Sequence, residues 1–116
     1  MPVLYSALLL DHFRHPRNYG SLEDADVSYE AFNPLCGDRI RMELKLDGQV
    51  VRAARFKGDG CAISMAAASL LTELIVGKEM ISDEELISAL QSEIQPARIQ
   101  CAILPLTALR DGLEHR

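Results

Sequence analysis

The sequence predicts a small α+β domain in which helices pack against a short β-sheet. Two patterns carry this prediction: a central stretch in which apolar and charged residues alternate strictly, and flanking stretches in which apolar residues recur with the helical period. The chain has 116 residues, of which 48% are apolar. That size favours one domain over residues 1–116 with a single modest core.

The N-terminal part predicts a helix, a loop and a strand in that order. Apolar residues recur close to the 3.6-residue period between positions 4 and 14, and Pro16 opposes continuation, so we expect an amphipathic helix at 4–14. The sequence Asn18-Tyr19-Gly20 is typical of a loop. We expect a first strand at 27–32.

The clearest strand follows at 39–46, because every even position there is apolar and every odd position is charged. Asp47-Gly48 has the residues favoured in a type I′ turn, so we expect residues 49–56 to return as the second arm of a hairpin. Cys36 and Cys61 bracket this hairpin. The reversal therefore brings the two cysteines to the same end of the sheet.

The second half predicts three helices. Residues 62–76 are apolar on most faces and end at Gly77-Lys78, which indicates a buried helix with Cys61 at its N-terminus. Ser82 and Glu85 match a capping box, which opens a short helix to about residue 93. Because proline is tolerated in a first turn but not in mid-helix, Pro105 places the start of the last helix near Cys101.

Composition limits the classes of function. The net charge of -5 argues against a general nucleic-acid surface, although the basic clusters at 14–17 and 39–41 suit an acidic protein partner. We find no signal-peptide pattern and no apolar segment of the length needed to cross a bilayer. Three cysteines without paired spacings make a poor disulfide framework, so we expect a reducing, cytoplasmic location.

The three cysteines are the main functional signal. Each lies among small, turn-forming residues, and Asp38 stands two positions after Cys36 as a candidate fourth ligand. Cys61 and Cys101 are expected at helix N-termini, where the dipole lowers a thiol pKa. Singly, a buried cysteine is more often a small core residue than a ligand, and Asp38 is compatible with a simple turn, so the prediction rests on the combination of the three cysteines with Asp38. A Cys-His catalytic pair is not favoured, because His12 and His15 suit capping or solvent-facing positions.

Four segments resemble the U-type iron–sulfur scaffold family, the group of IscU, SufU and the N-terminal domain of NifU. DHFRHPRNYG at 11–20 looks like the family's DHxxxPRNxG signature, and NPLCGD at 33–38 resembles its first ligand loop. GDGCAIS at 58–64 resembles the second ligand loop, and ARIQCA at 97–102 the third. The likeness runs through nearly the whole chain.

The resemblance implies a two-layer sandwich of the SufE/NifU-like type, with a three-stranded antiparallel sheet and helices on one face. It implies that Cys36, Asp38, Cys61 and Cys101 surround a metal or a nascent cluster, with Cys101 as the predicted sulfur acceptor. The implied partners are a pyridoxal-phosphate cysteine desulfurase and recipient apo iron–sulfur proteins. On this basis we expect a scaffold rather than an enzyme, with no nucleic-acid or membrane partner.

Two departures favour the SufU branch over the IscU branch. Gln100 stands where IscU has a histidine, and residues 94–98 lack the LPPVK-type motif that a dedicated Hsp70-type chaperone binds, so that partner is not implied here. The interval from 78 to 96 is also too short for the insertion of SufU proteins. Two hypotheses remain open: a scaffold for a [2Fe–2S] cluster with Asp38 as a weak ligand, and a Zn²⁺-dependent sulfurtransferase that accepts persulfide sulfur.

Overall fold

A computed structural model describes residues 5–115 of the chain. In chain order the elements are α1 (Ala7–Arg14), β1 (Val27–Asn33), β2 (Asp38–Asp47), β3 (Val50–Asp59), α2 (Ala62–Leu74), α3 (Asp83–Ala89), a short 3₁₀ helix (Pro96–Arg98) and α4 (Ile99–Glu114). The start of the expected first helix, at residue 4, lies outside the described residues. No helix within 5–115 is both long and apolar enough to span a membrane.

The sheet is antiparallel in the order β1-β2-β3, and helices cover one of its faces. The inward-facing strand residues are apolar and buried: Val27, Ala31, Ile40, Met42, Leu44, Val51, Ala54 and Phe56. Charged side chains such as Arg39, Arg41, Arg55 and Lys57 lie exposed on the other face. The predicted two-layer sandwich is therefore confirmed, and its core lies between the sheet and α2 and α4.

The hairpin turn differs from the predicted one by one residue. Asp47 pairs with Val50, so the two central residues are Gly48 and Gln49 rather than Asp47 and Gly48. Gly48 has a φ of 64°, and Gln49 is not among the residues with positive φ. A glycine with positive φ at the first central position is the pattern of a type II′ turn, not of type I′.

The strand β3 continues to Asp59, two residues before Cys61, although the glycines at 58 and 60 favour a flexible segment. Gly58 pairs with Ile40 in β2 and has a φ of 153°. A Cβ at Gly58 would lie 2.1 Å from the carbonyl oxygen of Arg39. Glycine is required here because the backbones of β2 and β3 approach each other closely at this end of the hairpin.

The helix boundaries follow local backbone chemistry. The Ser82–Glu85 capping box is present as predicted, but α3 ends at Ala89 instead of near residue 93, and Gln91 then adopts a φ of 55°. The prediction for α4 is wrong in one respect, because Pro105 lies inside the helix rather than in its first turn. Proline has no N–H, so the carbonyl of Cys101, four residues earlier, lacks its helical hydrogen bond.

The N-terminal signature ties the first loop to α2. His12 Nδ1 lies 2.8 Å from Ser69 Oγ, and the same hydroxyl accepts the N–H of Arg17 at 2.8 Å. Asn18 Nδ2 donates to Thr72 Oγ1 at 3.0 Å. The expectation that His12 is a capping or solvent-facing group is wrong: its side chain is buried and joins α1 to α2.

Candidate metal centre

Three of the four predicted ligands meet at one end of the sheet. Cys36 lies in the β1–β2 loop, Asp38 is the first residue of β2, and Cys101 lies in the first turn of α4. One ligand atom from each lies within 4.8 Å of the others. The Sγ atoms of Cys36 and Cys101 are 3.6 Å apart. Residues that are 65 positions apart in sequence therefore share one small centre.

Asp38 supplies an oxygen ligand that is already oriented. Its side chain is 4% exposed, and Oδ1 accepts the N–H of Cys61 at 3.1 Å. Oδ2 is buried and accepts no hydrogen bond from residues 5–115. Buried polar atoms are almost always paired. An unpaired carboxylate oxygen beside two thiols therefore suggests that its partner is a metal ion.

The carboxylate form of Asp38 is favoured. Burial by itself raises the pKa of this side chain, but the neighbouring thiols of Cys36 and Cys101 and the hydroxyl of Ser64 act in the opposite direction. The net result holds the pKa of Asp38 below its usual value. A carboxylate that stays ionised while buried needs nearby positive charge or hydrogen-bond donors. A bound metal ion would supply the positive charge.

Cys61 stands beside these three residues, although its sulfur is not part of their mutual cluster. It is the N-cap of α2, and its backbone N–H reaches Asp38. Its Sγ lies 3.8 Å from Ser64 Oγ and does not belong to the set whose ligand atoms lie within 4.8 Å of one another. The structure thus brings Cys36, Asp38 and Cys101 together and places Cys61 at their edge.

The pKa of Cys101 runs against the prediction drawn from its helix position. The thiol is 1% exposed, and burial first, then the neighbouring Cys36 and Cys61, raises its pKa above the ordinary cysteine value. Desolvation outweighs the helix dipole in the metal-free protein. A metal ion removes this penalty, because thiolates bound to a cation are deprotonated at neutral pH.

The donor set fits a metal. Three thiols and one carboxylate match the sulfur-rich coordination that Zn²⁺ and iron–sulfur clusters take from proteins, with one oxygen replacing a fourth sulfur. The open side of the centre faces solvent, since Cys36 is exposed and Leu35 before it is 92% exposed. The site is therefore reachable by a large partner as well as by an ion.

Two cavities flank the ligand loops. One of about 340 Å³ lies between β1 and α4 and is lined by Asn33, Pro34 and Gln100 among others. The second, of about 290 Å³, is lined by Ile63 and Arg98, close to Cys61 and Cys101 in sequence. Each cavity is thus lined by residues near the ligands in sequence and by none of the four ligands themselves.

Sequence reasoning missed two residues of the centre. Ser64 is fully buried against Cys61, and the Cys61 and Cys101 sulfurs raise the pKa of the exposed Arg98. The signal that would have found them is helical spacing, because Ser64 lies three residues after Cys61 and Arg98 three residues before Cys101.

A three-stranded sheet with helices on one face and a cysteine–carboxylate cluster at its rim defines a small domain with a candidate metal centre. The model of the NifU-like N terminal domain family matches residues 4–115, and the chain belongs to that family. The zinc-dependent sulfurtransferase SufU of Bacillus subtilis is 41% identical, over 97% of this chain and 91% of that protein. The iron–sulfur cluster assembly scaffold protein IscU of Thermotoga maritima is 35% identical, over 97% and 94%.

A solved structure gives the same assignment of the fold. A putative iron–sulfur cluster assembly scaffold protein for the SUF system from Fervidobacterium islandicum superposes with a TM-score of 0.75 at 26% identity, over 94% of this chain and 96% of that one. The alignment with the Bacillus SufU runs over 135 positions, against 116 residues here. Gaps therefore stand opposite this chain, as they do in the alignment of 133 positions with the Thermotoga IscU.

Proposed function

We propose that this protein is an iron–sulfur cluster assembly scaffold that receives sulfur from a cysteine desulfurase. The observation that carries the proposal is the convergence of Cys36, Asp38 and Cys101 within 4.8 Å, with Cys61 alongside. The kinship with IscU and SufU proteins supports the same function. In this proposal all four residues hold the metal or the nascent [2Fe–2S] cluster, which is cargo for recipient apo proteins.

Each ligand has a distinct task in this proposal. Cys101, buried at the base of the centre, anchors the cargo, and exposed Cys36 forms the side from which it leaves. Asp38 contributes a hard oxygen among soft sulfurs, which lowers the retention of iron–sulfur cargo. We propose that the chain acts as a carrier and has no turnover chemistry of its own.

A second candidate function is a zinc-dependent sulfurtransferase partner of the desulfurase. Two observations favour it: the 41% identity with a SufU of that description, and Gln100 in place of the histidine expected in the IscU branch. Zn²⁺ held by the same residues would keep their thiols deprotonated and oriented at neutral pH.

The sulfur step in either function needs one thiolate that is not bound to metal when the desulfurase docks. We propose that Cys101 supplies it, either before it binds the metal or after it leaves the metal. The thiolate sulfur attacks the terminal sulfur of the desulfurase persulfide, and a new S–S bond forms on Cys101. The S–S bond of the desulfurase breaks, and its cysteine leaves as a thiolate. Electrons balance without an outside oxidant or reductant, whereas conversion of that sulfur to sulfide requires a thiol reductant.

The test is anaerobic reconstitution with Fe²⁺, cysteine, a thiol reductant and a cysteine desulfurase. For a scaffold we expect visible cluster absorption in proportion to bound iron and sulfide. The Asp38→Ala variant should keep the cluster longer on dilution or on challenge with an iron chelator. Asp59→Ala is the matched control, because it removes a nearby exposed carboxylate that belongs to no ligand set.

The same experiment separates the two candidates. Tightly held zinc, faster desulfurase turnover and no cluster absorption would replace the scaffold with the sulfurtransferase. Absence of metal binding and of any effect on the desulfurase would refute both functions.

A further inference from the structure

A buried hydroxyl lies directly behind the metal centre. Ser64 is in the first turn of α2 with 0% of its surface exposed. Its Oγ donates to the carbonyl oxygen of Cys61 at 3.1 Å and lies 3.8 Å from the Sγ of the same residue. Both contacts are made to one residue, and that residue is a predicted ligand.

The hydroxyl also borders the side chain of Asp38. A Cβ placed on Gly60 would lie 2.2 Å from Ser64 Oγ and 3.2 Å from the carboxylate carbon of Asp38. Ser64 and Asp38 therefore crowd the same side of Gly60, which has to be glycine to admit both. Ser64 thus contacts Cys61, the one predicted ligand outside the cluster of Cys36, Asp38 and Cys101, and lies next to Asp38 within that cluster.

A serine hydroxyl suits this position because it has one hydrogen to donate and two lone pairs to accept. As the Cys61 thiol donates to Oγ, the hydroxyl hydrogen is free for the Cys61 carbonyl. Rotation about the Cβ–Oγ bond would turn the same hydrogen toward the Cys61 sulfur. Partners of this kind fix the orientation of metal ligands in proteins.

We propose that Ser64 is a positioning residue of the metal centre, whose hydroxyl fixes the orientation of the Cys61 side chain and braces Asp38. The predicted effect of Ser64 on metal binding rests on the proposed function. Its predicted effect on the orientation of the Cys61 side chain does not. Ser64 needs no direct contact with the metal: it acts through the ligands beside it.

Three variants test the inference. Ser64→Ala removes the hydroxyl, and Ser64→Thr keeps it. Ser69→Ala is the matched control, because Ser69 is equally buried in the same helix but its hydroxyl hydrogen-bonds with His12 and Arg17 instead of with Cys61. A loss of general stability should therefore appear in both alanine variants, and a loss specific to the centre in Ser64→Ala alone.

The first measurement is Zn²⁺ affinity by competition with a chromogenic chelator. We expect about tenfold weaker binding for Ser64→Ala, as is typical when a partner of a metal ligand is removed. Binding should be unchanged for Ser69→Ala and restored in Ser64→Thr. Substitution by Co²⁺ should give altered thiolate-to-cobalt absorption in Ser64→Ala only.

The second measurement needs no metal. The NMR couplings between Hα and Hβ of Cys61 should report one rotamer in the wild-type apoprotein and in Ser69→Ala, and averaging in Ser64→Ala. Equal Zn²⁺ affinity and equal Cys61 couplings in wild type and Ser64→Ala would overturn the inference. A wild-type protein that binds neither Zn²⁺ nor a cluster would refute the proposed function, while the couplings would still test Ser64.

Discussion

Substitution of Gly58 by alanine should loosen the hairpin at the end that carries the ligands. Two effects add at this position. The φ of 153° is unfavourable for a residue with a Cβ, which costs about 1–2 kcal/mol. The Cβ would also overlap the carbonyl oxygen of Arg39 at 2.1 Å, and moving the backbone away costs about 2 kcal/mol more.

We therefore expect Gly58→Ala to lower the free energy of unfolding by about 3–4 kcal/mol. This is a large fraction of the total for an ordinary domain, which is about 5–15 kcal/mol. Gly48→Ala is the control without steric overlap, because Gly48 also has a positive φ, of 64°, but no atom lies within 4 Å of an added Cβ. We expect about 1 kcal/mol for that control.

Urea unfolding followed by far-UV circular dichroism measures both variants. The slope of the free energy against urea should stay constant, and the midpoint of Gly58→Ala should fall by about 1–2 M. Zn²⁺ affinity should weaken in Gly58→Ala, since the pairing of Arg39 with Asp59 holds Asp38 next to Cys61, but not in Gly48→Ala. If both alanines cost the same, the close approach of the strands is not a constraint and the reasoning fails.

Three further predictions concern titration, reactivity and surface charge. Burial is the main cause that lowers the pKa of His12, so the folded state prefers the neutral ring. The contribution of His12 to the free energy of unfolding should be fully present above the ordinary histidine pKa of 6.5 and should decline as the pH falls below it. Urea unfolding at pH 7.5 and pH 5.5 should show this decline in wild type and a smaller one in His12→Asn. In the apoprotein at pH 8, iodoacetamide should modify exposed Cys36 well before Cys101, because Cys101 is buried and its thiol has a raised pKa. Peptide mass spectrometry measures the order of modification, and equal rates would contradict the burial of Cys101. Lys57→Glu should stabilise the sheet by about 0.5 kcal/mol in low salt, because Lys57 faces Arg41 across the strands, and a gain that persists in 1 M salt would show that charge is not its cause.

The fold was largely predictable from local patterns. Strict alternation at 39–46 fixed the face that β2 buries, and the Ser82–Glu85 capping box fixed the start of α3. The errors occurred where tertiary structure overrides local preference. Pro105 is accommodated inside α4 because the helix packs on β1 and on α2, and no sequence rule distinguishes that context from an isolated helix.

The ligand set was visible in the sequence only in part. Cysteines in turn-forming segments indicated a metal site, and the hairpin brought Cys36 and Cys61 to one end of the sheet. The direction of each thiol was not predictable, because it depends on contacts between distant elements. Burial of Cys101 reversed the sign of its pKa shift, and Ser64 engages Cys61 from one turn further along α2.

The separation of Cys36 and Cys101 along the chain has a topological consequence. Any group that bridges them closes a loop spanning 65 residues and so acts on the unfolded chain as a cross-link does. In the chain-entropy treatment of disulfides, a loop of that length corresponds to about 4 kcal/mol. The cargo would then act as a removable cross-link, and its departure would lower the free energy of unfolding by about the same amount.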